Sequence, residues 1–316
     1  MSSIAYITDK NMIEFHRLNG NSTINFWRPS MGKRFTDFHP GDLLFFLAKG
    51  TERGTKKEKG LIGYGRYIST SRLSFKQMWK QYGMLNGYLS DIDFKEAIIK
   101  VSKAKTLAPQ LSGLVLTDIV FFQAPVYLSE LGIKISNNVE SYIYLDKEDS
   151  EATVRILKKA SQTGVDAWTS AVSHHAPMET VFDEDLIRHI LTYKLTELPD
   201  IDNIQDMNKG MKILNHYKNQ NPDTQWIDDR KQELFKYDET GFHITVALVT
   251  SKNDLKRKLL FLMGKLQLLS IEAQQIASFS DKQVFLEILT DAIISMDWIN
   301  LLKQANIEII VLKPSI

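Results

Sequence analysis

Residues 112–128 read SGLVLTDIVFFQAPVYL. Apolar side chains dominate the run and Asp118 is its one charge. The pattern predicts one long strand, or two with a bend near Asp118. Working outward, GDLLFFLAKG (41–50) is a short apolar run opened by a Gly-Asp turn and predicts a buried strand. GLIGYGRYIS (60–69) alternates bulky and small residues, and its three glycines mark a twisted or bulged strand. ESYIYL (140–145) alternates again. SFKQMWKQYG (74–83) and SDIDFKEAIIKV (90–101) are helical by pattern, with Ser90 a fitting N-cap and Asp93 three residues on.

Beyond Leu145 the pattern turns helical. DKEDSEATVRILKKASQ (146–162) has an acidic first turn and a basic last turn, as a helix dipole favours. Residues 181–198 and 203–220 read as two more helices, the second weakened by Gly210. GFHITVALVTS (241–251) reads as a strand, and residues 253–276 as a helix apolar almost all round, hence buried. In 280–304, Val284, Phe285, Ile288, Leu289, Ala292, Ile293 and Met296 follow the period of a one-sided helix. IEIIVL (307–312) closes as a short buried strand. Strand, two helices, strand suits a parallel crossover and a small α/β unit. The 316 residues suggest two domains. The expected division is 1–148, a helical linker 149–180, and 181–316.

An apolar fraction of 43% supports a sizeable core. The chain has no cysteine, which excludes disulfides and thiolate metal sites and fits a reducing, cytoplasmic setting. The first residues lack the basic and apolar regions of a signal peptide, and no apolar run is long enough to span a membrane. Residues 1–150 hold 20 Lys/Arg against 15 Asp/Glu, net +5; residues 151–316 hold 19 against 23, net −4. The basic excess concentrates in 49–105, with 13 basic and 5 acidic residues. It is either a solvated lysine-rich surface or a face for an anionic partner such as nucleic acid.

KGTERGTKKEKG (49–60) carries Lys49, Arg53, Lys56, Lys57 and Lys59 between two strands. It reads as a surface hairpin tip or as a loop that contacts phosphates. The histidines of SHHAPMETVFDED (173–185) lack HExxH or HxH spacing, and there is no P-loop, GxGxxG or GxSxG. DDRKQEL (228–234) only superficially resembles the acidic motif of a metal nuclease and reads as helical. No cofactor is implied; Mg2+ enters only if residues 150–316 form an endonuclease.

Aromatic and amide side chains crowd the first half: Asn25, Phe26, Trp27, Arg28, Tyr64, Tyr67, Trp79, Tyr82, Asn86 and Tyr88. Aromatic faces stack on an unpaired base, while amides and Arg read its edge. Each ring can equally belong to the core; Phe75 and Trp79 at i, i+4 are natural buried neighbours.

The order of these pieces resembles the N-terminal domain found ahead of HNH nucleases in modification-dependent restriction proteins. The carrying residues are Phe26-Trp27-Arg28-Pro29, Gly41-Asp42, Ile62-Gly63-Tyr64-Gly65, Trp79 through Asn86-Gly87, and Phe121-Phe122. That domain is similar to the EVE and PUA-like class, relatives of YTH and SRA domains. The resemblance spans about residues 20–145. It implies an N-terminal bent β-barrel flanked by helices; with the mostly helical α/β pattern read for the second half, the chain is expected to be α+β. It also implies a base pocket of Asn25, Phe26, Trp27, Arg28, Ser30, Tyr64, Trp79, Tyr82 and Asn86. The implied partner is DNA with a modified base, cytosine favoured, in bacterial restriction or defence. The second half, outside the resemblance, is expected to carry an assembly or effector role, with a nuclease or other protein as partner; an oligomer is compatible. No HNH unit is visible in 150–316. An endonuclease with a divergent site and an RNA-binding module are the alternatives.

Overall fold

The computed structural model describes residues 3–29, 35–102, 104–135, 139, 141–172, 178–238, 240–250, 254–275 and 282–312. The chain forms two units, Met1–Phe182 and Asp183–Ile316.

The first unit starts with β1 (Ile4–Thr8), α1 (Lys10–Leu18), β2 (Ile24–Arg28), β3 (Leu43–Ala48) and β4 (Leu61–Leu73). After these come α2 (Phe75–Tyr82), a 3-10 turn Gly83–Asn86, α3 (Asp91–Val101), β5 (Leu111–Val126) and β6 (Tyr142–Tyr144). Helices α4 (Ala152–Thr163) and α5 (Ala167–Val172) complete it. Asp9, Ser74 and Ser90 cap α1, α2 and α3, so polar side chains take up the free backbone N–H groups at each helix start.

The sheet order is β2-β5-β4-β3-β1-β6. β5 is a single strand and turns at Asp118, where φ is +50°. Gly63 carries the bulge in β4: a Cβ there would lie 2.3 Å from the Val120 carbonyl oxygen. The expected bent barrel does not form. β2 and β6 are the two ends of an open sheet, and among the described residues no backbone pairing joins them. Phe26 of β2 meets Tyr6 of β1 at 5.3 Å between ring centroids. In the core of this unit Phe26, Phe46, Leu114, Leu116 and Phe121 from the sheet cluster with Met78, Phe94 and Ile98 from α2 and α3.

The boundary between units falls within α6 (Met178–Glu197). The second unit continues with α7 (Ile204–Gln220), β7 (Gln225–Trp226), β8 (Glu233–Asp238), β9 (Gly241–Leu248) and α8 (Leu255–Gln274). It closes with β10 (Gln283–Thr290), α9 (Met296–Gln304) and β11 (Ile307–Val311). The sheet order is β11-β10-β9-β8-β7. β9, β10 and β11 are parallel, while β8 is antiparallel to β9 and to β7. Two expectations fail here. Residues 283–290 form a strand, because Val284, Phe285, Leu286, Ile288 and Leu289 suit a central strand as well as a helix face. Glu233 and Leu234 open a strand rather than belonging to a helix. The crossover is therefore β9-α8-β10-α9-β11, one helix per step.

Candidate nucleic-acid interface

β2 alternates its side chains between two environments. Asn25 and Trp27 point to one, and both are buried. Asn25 donates to Asn86 Oδ1 at 2.8 Å, and the Trp27 indole donates to the Asn86 carbonyl at 3.0 Å. Asn86 in turn donates to the Gly83 carbonyl at 2.8 Å. Trp27 meets Phe94 edge to face at 5.1 Å. This network ties β2 to the turn after α2. Gly113, opposite Trp27 in the β2–β5 register, leaves room for the Asn25 amide: a Cβ there would sit 2.1 Å from Asn25 Oδ1.

Phe26 and Arg28 point the other way. The Arg28 guanidinium stacks on the Tyr6 ring and lies 5.2 Å from the Phe26 centroid. Tyr6 pairs with Tyr142 in the β1–β6 register, and their rings are 5.5 Å apart. Half-buried Phe35 and Tyr144 continue the aromatic wall, at 4.9 and 5.6 Å from Tyr142. Among the described residues no carboxylate pairs with Arg28, and its buried Nε has no hydrogen-bond partner. Burial pushes the guanidinium well below its ordinary range, opposed by the Tyr142 hydroxyl. Burial likewise raises Tyr142. Guanidinium groups keep their proton, so Arg28 stays a cation among these rings.

The remaining predicted site residues are dispersed. Tyr64 is fully buried against Phe45 and Phe122, apart from the Trp27 cluster. Trp79 is half-buried against Phe94, and half-buried Tyr82 accepts a bond from Gln81. Ser30 lies outside the described residues, as do His174 and His175. In the hairpin, Arg53 stacks on Tyr127 and is held by Glu58 and Glu130. Lys49, Lys56 and Lys57 are exposed and Lys59 is half-buried. Sequence reasoning did not single out Tyr6, Phe35, Tyr142 and Tyr144, the rings grouped on the Arg28 side of β2. The alternation of Tyr142 and Tyr144 in ESYIYL was the available signal, since it puts both rings on one side of the strand.

In the second unit, the enclosed lysines Lys258 and Lys265 are matched. Lys258, 2% exposed, donates to Asp206 and the Val249 carbonyl at 2.8 Å each and sits 2.7 Å from Asp202. Lys265 pairs with Glu233, and burial pushes that carboxyl up. Among the described residues no group of three or more His, Asp or Glu is placed to hold a metal, and no helix is long and apolar enough to cross a membrane.

No protein-family profile and no curated protein matches the chain. Solved structures of ASCH from Zymomonas mobilis do. The wild-type protein shares 11% identity, covering 48% of this chain and 93% of its own, with a TM-score of 0.34. Two single-residue variants share 14% and 11% identity over 49% of this chain and 97% and 95% of theirs, with TM-scores of 0.34 and 0.35. The likeness is one of chain trace over about half of the molecule, and figures this low carry no function across.

Proposed function

We propose that the first unit is a nucleic-acid-binding module of the PUA-like kind, which takes a nucleotide where β2 faces β1 and β6. The observation that carries this reading is Arg28: a half-buried cation stacked on Tyr6, with its Nε enclosed and without a partner and no carboxylate pairing with it among the described residues. A cation held among rings with open donors supports contact with a ligand anion, here a phosphate. Half-buried Tyr142, Tyr144 and Phe35 beside it supply faces on which an unpaired base stacks. In this arrangement Asn25, Trp27 and Asn86 hold β2 in position, and Arg28 makes the contact.

RNA is the first ligand class to test, because single-stranded RNA offers splayed bases next to phosphates. The finer reading, DNA with a modified cytosine in a restriction setting, is supported by the order of motifs from Phe26-Trp27 to Phe121-Phe122. For the second unit we propose an assembly or effector role. Competition among single-stranded RNA, plain duplex DNA and cytosine-modified duplex DNA for a labelled RNA separates the readings. Preference for RNA supports the first; preference for modified over plain duplex replaces it with the second. Absence of binding to all three overturns both. EDTA-sensitive cutting of any of these by the full chain would turn the second unit into an endonuclease.

A further inference from the structure

Between Glu58 and Asp91 the chain has no carboxylate side chain, while Arg66, Arg72, Lys76 and Lys80 fall inside this stretch together with Lys59. Arg66 is buried, near Asp118 and donating to the Gly41 carbonyl. The other three members from 66 onward lie at the surface: Arg72 at the end of β4, and Lys76 and Lys80 one turn apart on α2. Gln77 and Gln81 are exposed beside them. Among the described residues no carboxylate pairs with Arg72, Lys76 or Lys80. The helix under them is fixed. Ser74 and Gln77 form a capping box, Met78 is fully buried, and Asn86 in the following turn is bonded to Asn25. Half-buried Trp79 and Tyr82 lie on the same helix.

We propose that this face of α2, with Arg72, is the track for the phosphate backbone of the bound strand. The inference rests on the nucleic-acid reading and names its electrostatic surface. The charge argument favours α2 over the 49–59 hairpin. The hairpin carries Glu52 and Glu58 among its cations and packs Arg53 against Glu130, whereas α2 carries no acid. Cations on a capped helix also give up less freedom on binding than cations on a loop tip.

The test is the salt dependence of affinity for a labelled single-stranded RNA, measured with the full chain. Removing one phosphate contact lowers the slope of log K against log salt by about 0.7 for a single strand. Lys76→Gln with Lys80→Gln should lower it by about 1.4, and Lys76→Arg with Lys80→Arg should restore it. Lys56→Gln with Lys57→Gln should change it less. If the wild type binds and the α2 pair leaves the slope unchanged, or the hairpin pair lowers it more, the track is overturned while the nucleic-acid reading stands. If the wild type binds no nucleic acid, both fall together.

Discussion

The two sides of β2 follow opposite rules. On the Asn25/Trp27 side, hydrogen bonds link the strand to Asn86, and the indole packs against Phe94. On the Arg28 side, a guanidinium lies among aromatic rings with no carboxylate partner among the described residues. Lys258 shows how this chain buries a cation for structure: two aspartates and a carbonyl surround it. On the proposed function, the first side carries stability and the second is the one that meets a ligand. Hydrogen bonds from Asn25 Nδ2 and the Trp27 indole to Asn86 stabilise the folded state although Asn25 Oδ1 has no partner; an unpaired cation among rings costs stability.

Substitutions should separate the sides, beginning with the largest effect. Trp27→Ala removes a large buried ring and an indole hydrogen bond, so denaturant unfolding of the first unit should show a loss of about 3–5 kcal/mol. A loss below about 1 kcal/mol would place Trp27 outside the core. A pH change should act on the same side. His16 is fully buried, lies next to Gly87, and is held down to about 4 by burial. Its folded value is below its unfolded value of 6.5, so the unfolded chain binds the proton first. Stability is therefore complete above about 6.5 and falls between there and about 4, by on the order of 3 kcal/mol. Urea unfolding at neutral pH and near pH 4.5 should show the fall, and His16→Phe should flatten it. A wild-type curve flat over this range would show that His16 can be protonated in place.

Asn86→Ala leaves the Asn25 amide with only the Met78 sulfur as acceptor and should cost about 1–3 kcal/mol in the same unfolding assay. Arg28→Met should have the smallest effect on stability, at or above wild type, because it replaces an unpaired cation by an apolar chain of similar length. A clear loss of stability in that variant would mean that the Arg28 side is structural too.

The strands of the first unit are readable because turn glycines and apolar runs bracket them, as in GDLLFFLAKG and GLIGYGRYIS. β1 and α1 are not, since IAYIT and the short α1 carry few distinguishing signals. β10 reads as a helix because Val284, Phe285, Ile288 and Leu289 fit a period of 3.6 while being β-branched, aromatic or aliphatic residues that a central strand accepts. Of the site, Arg28 and Phe26 are readable as an aromatic and basic pair. Tyr6 and Tyr142 are not, because they come from opposite ends of the first unit and meet only through the β1–β6 pairing. Burial of Asn25, Trp27 and Asn86 is equally hidden: their amide and indole groups suit a base pocket as well as a locked turn, and only the hydrogen bonds distinguish the two.

The most direct measurement is fluorescence anisotropy of a labelled single-stranded RNA titrated with the wild-type chain and with Arg28→Met at one fixed salt concentration, alongside the melting temperature of each. Saturable wild-type binding, weakened about tenfold or more in a variant that melts no lower, is the predicted result, equivalent to about 1.4 kcal/mol or more carried by Arg28. Equal affinity of the two proteins would contradict the assignment of Arg28 as the ligand's anion site.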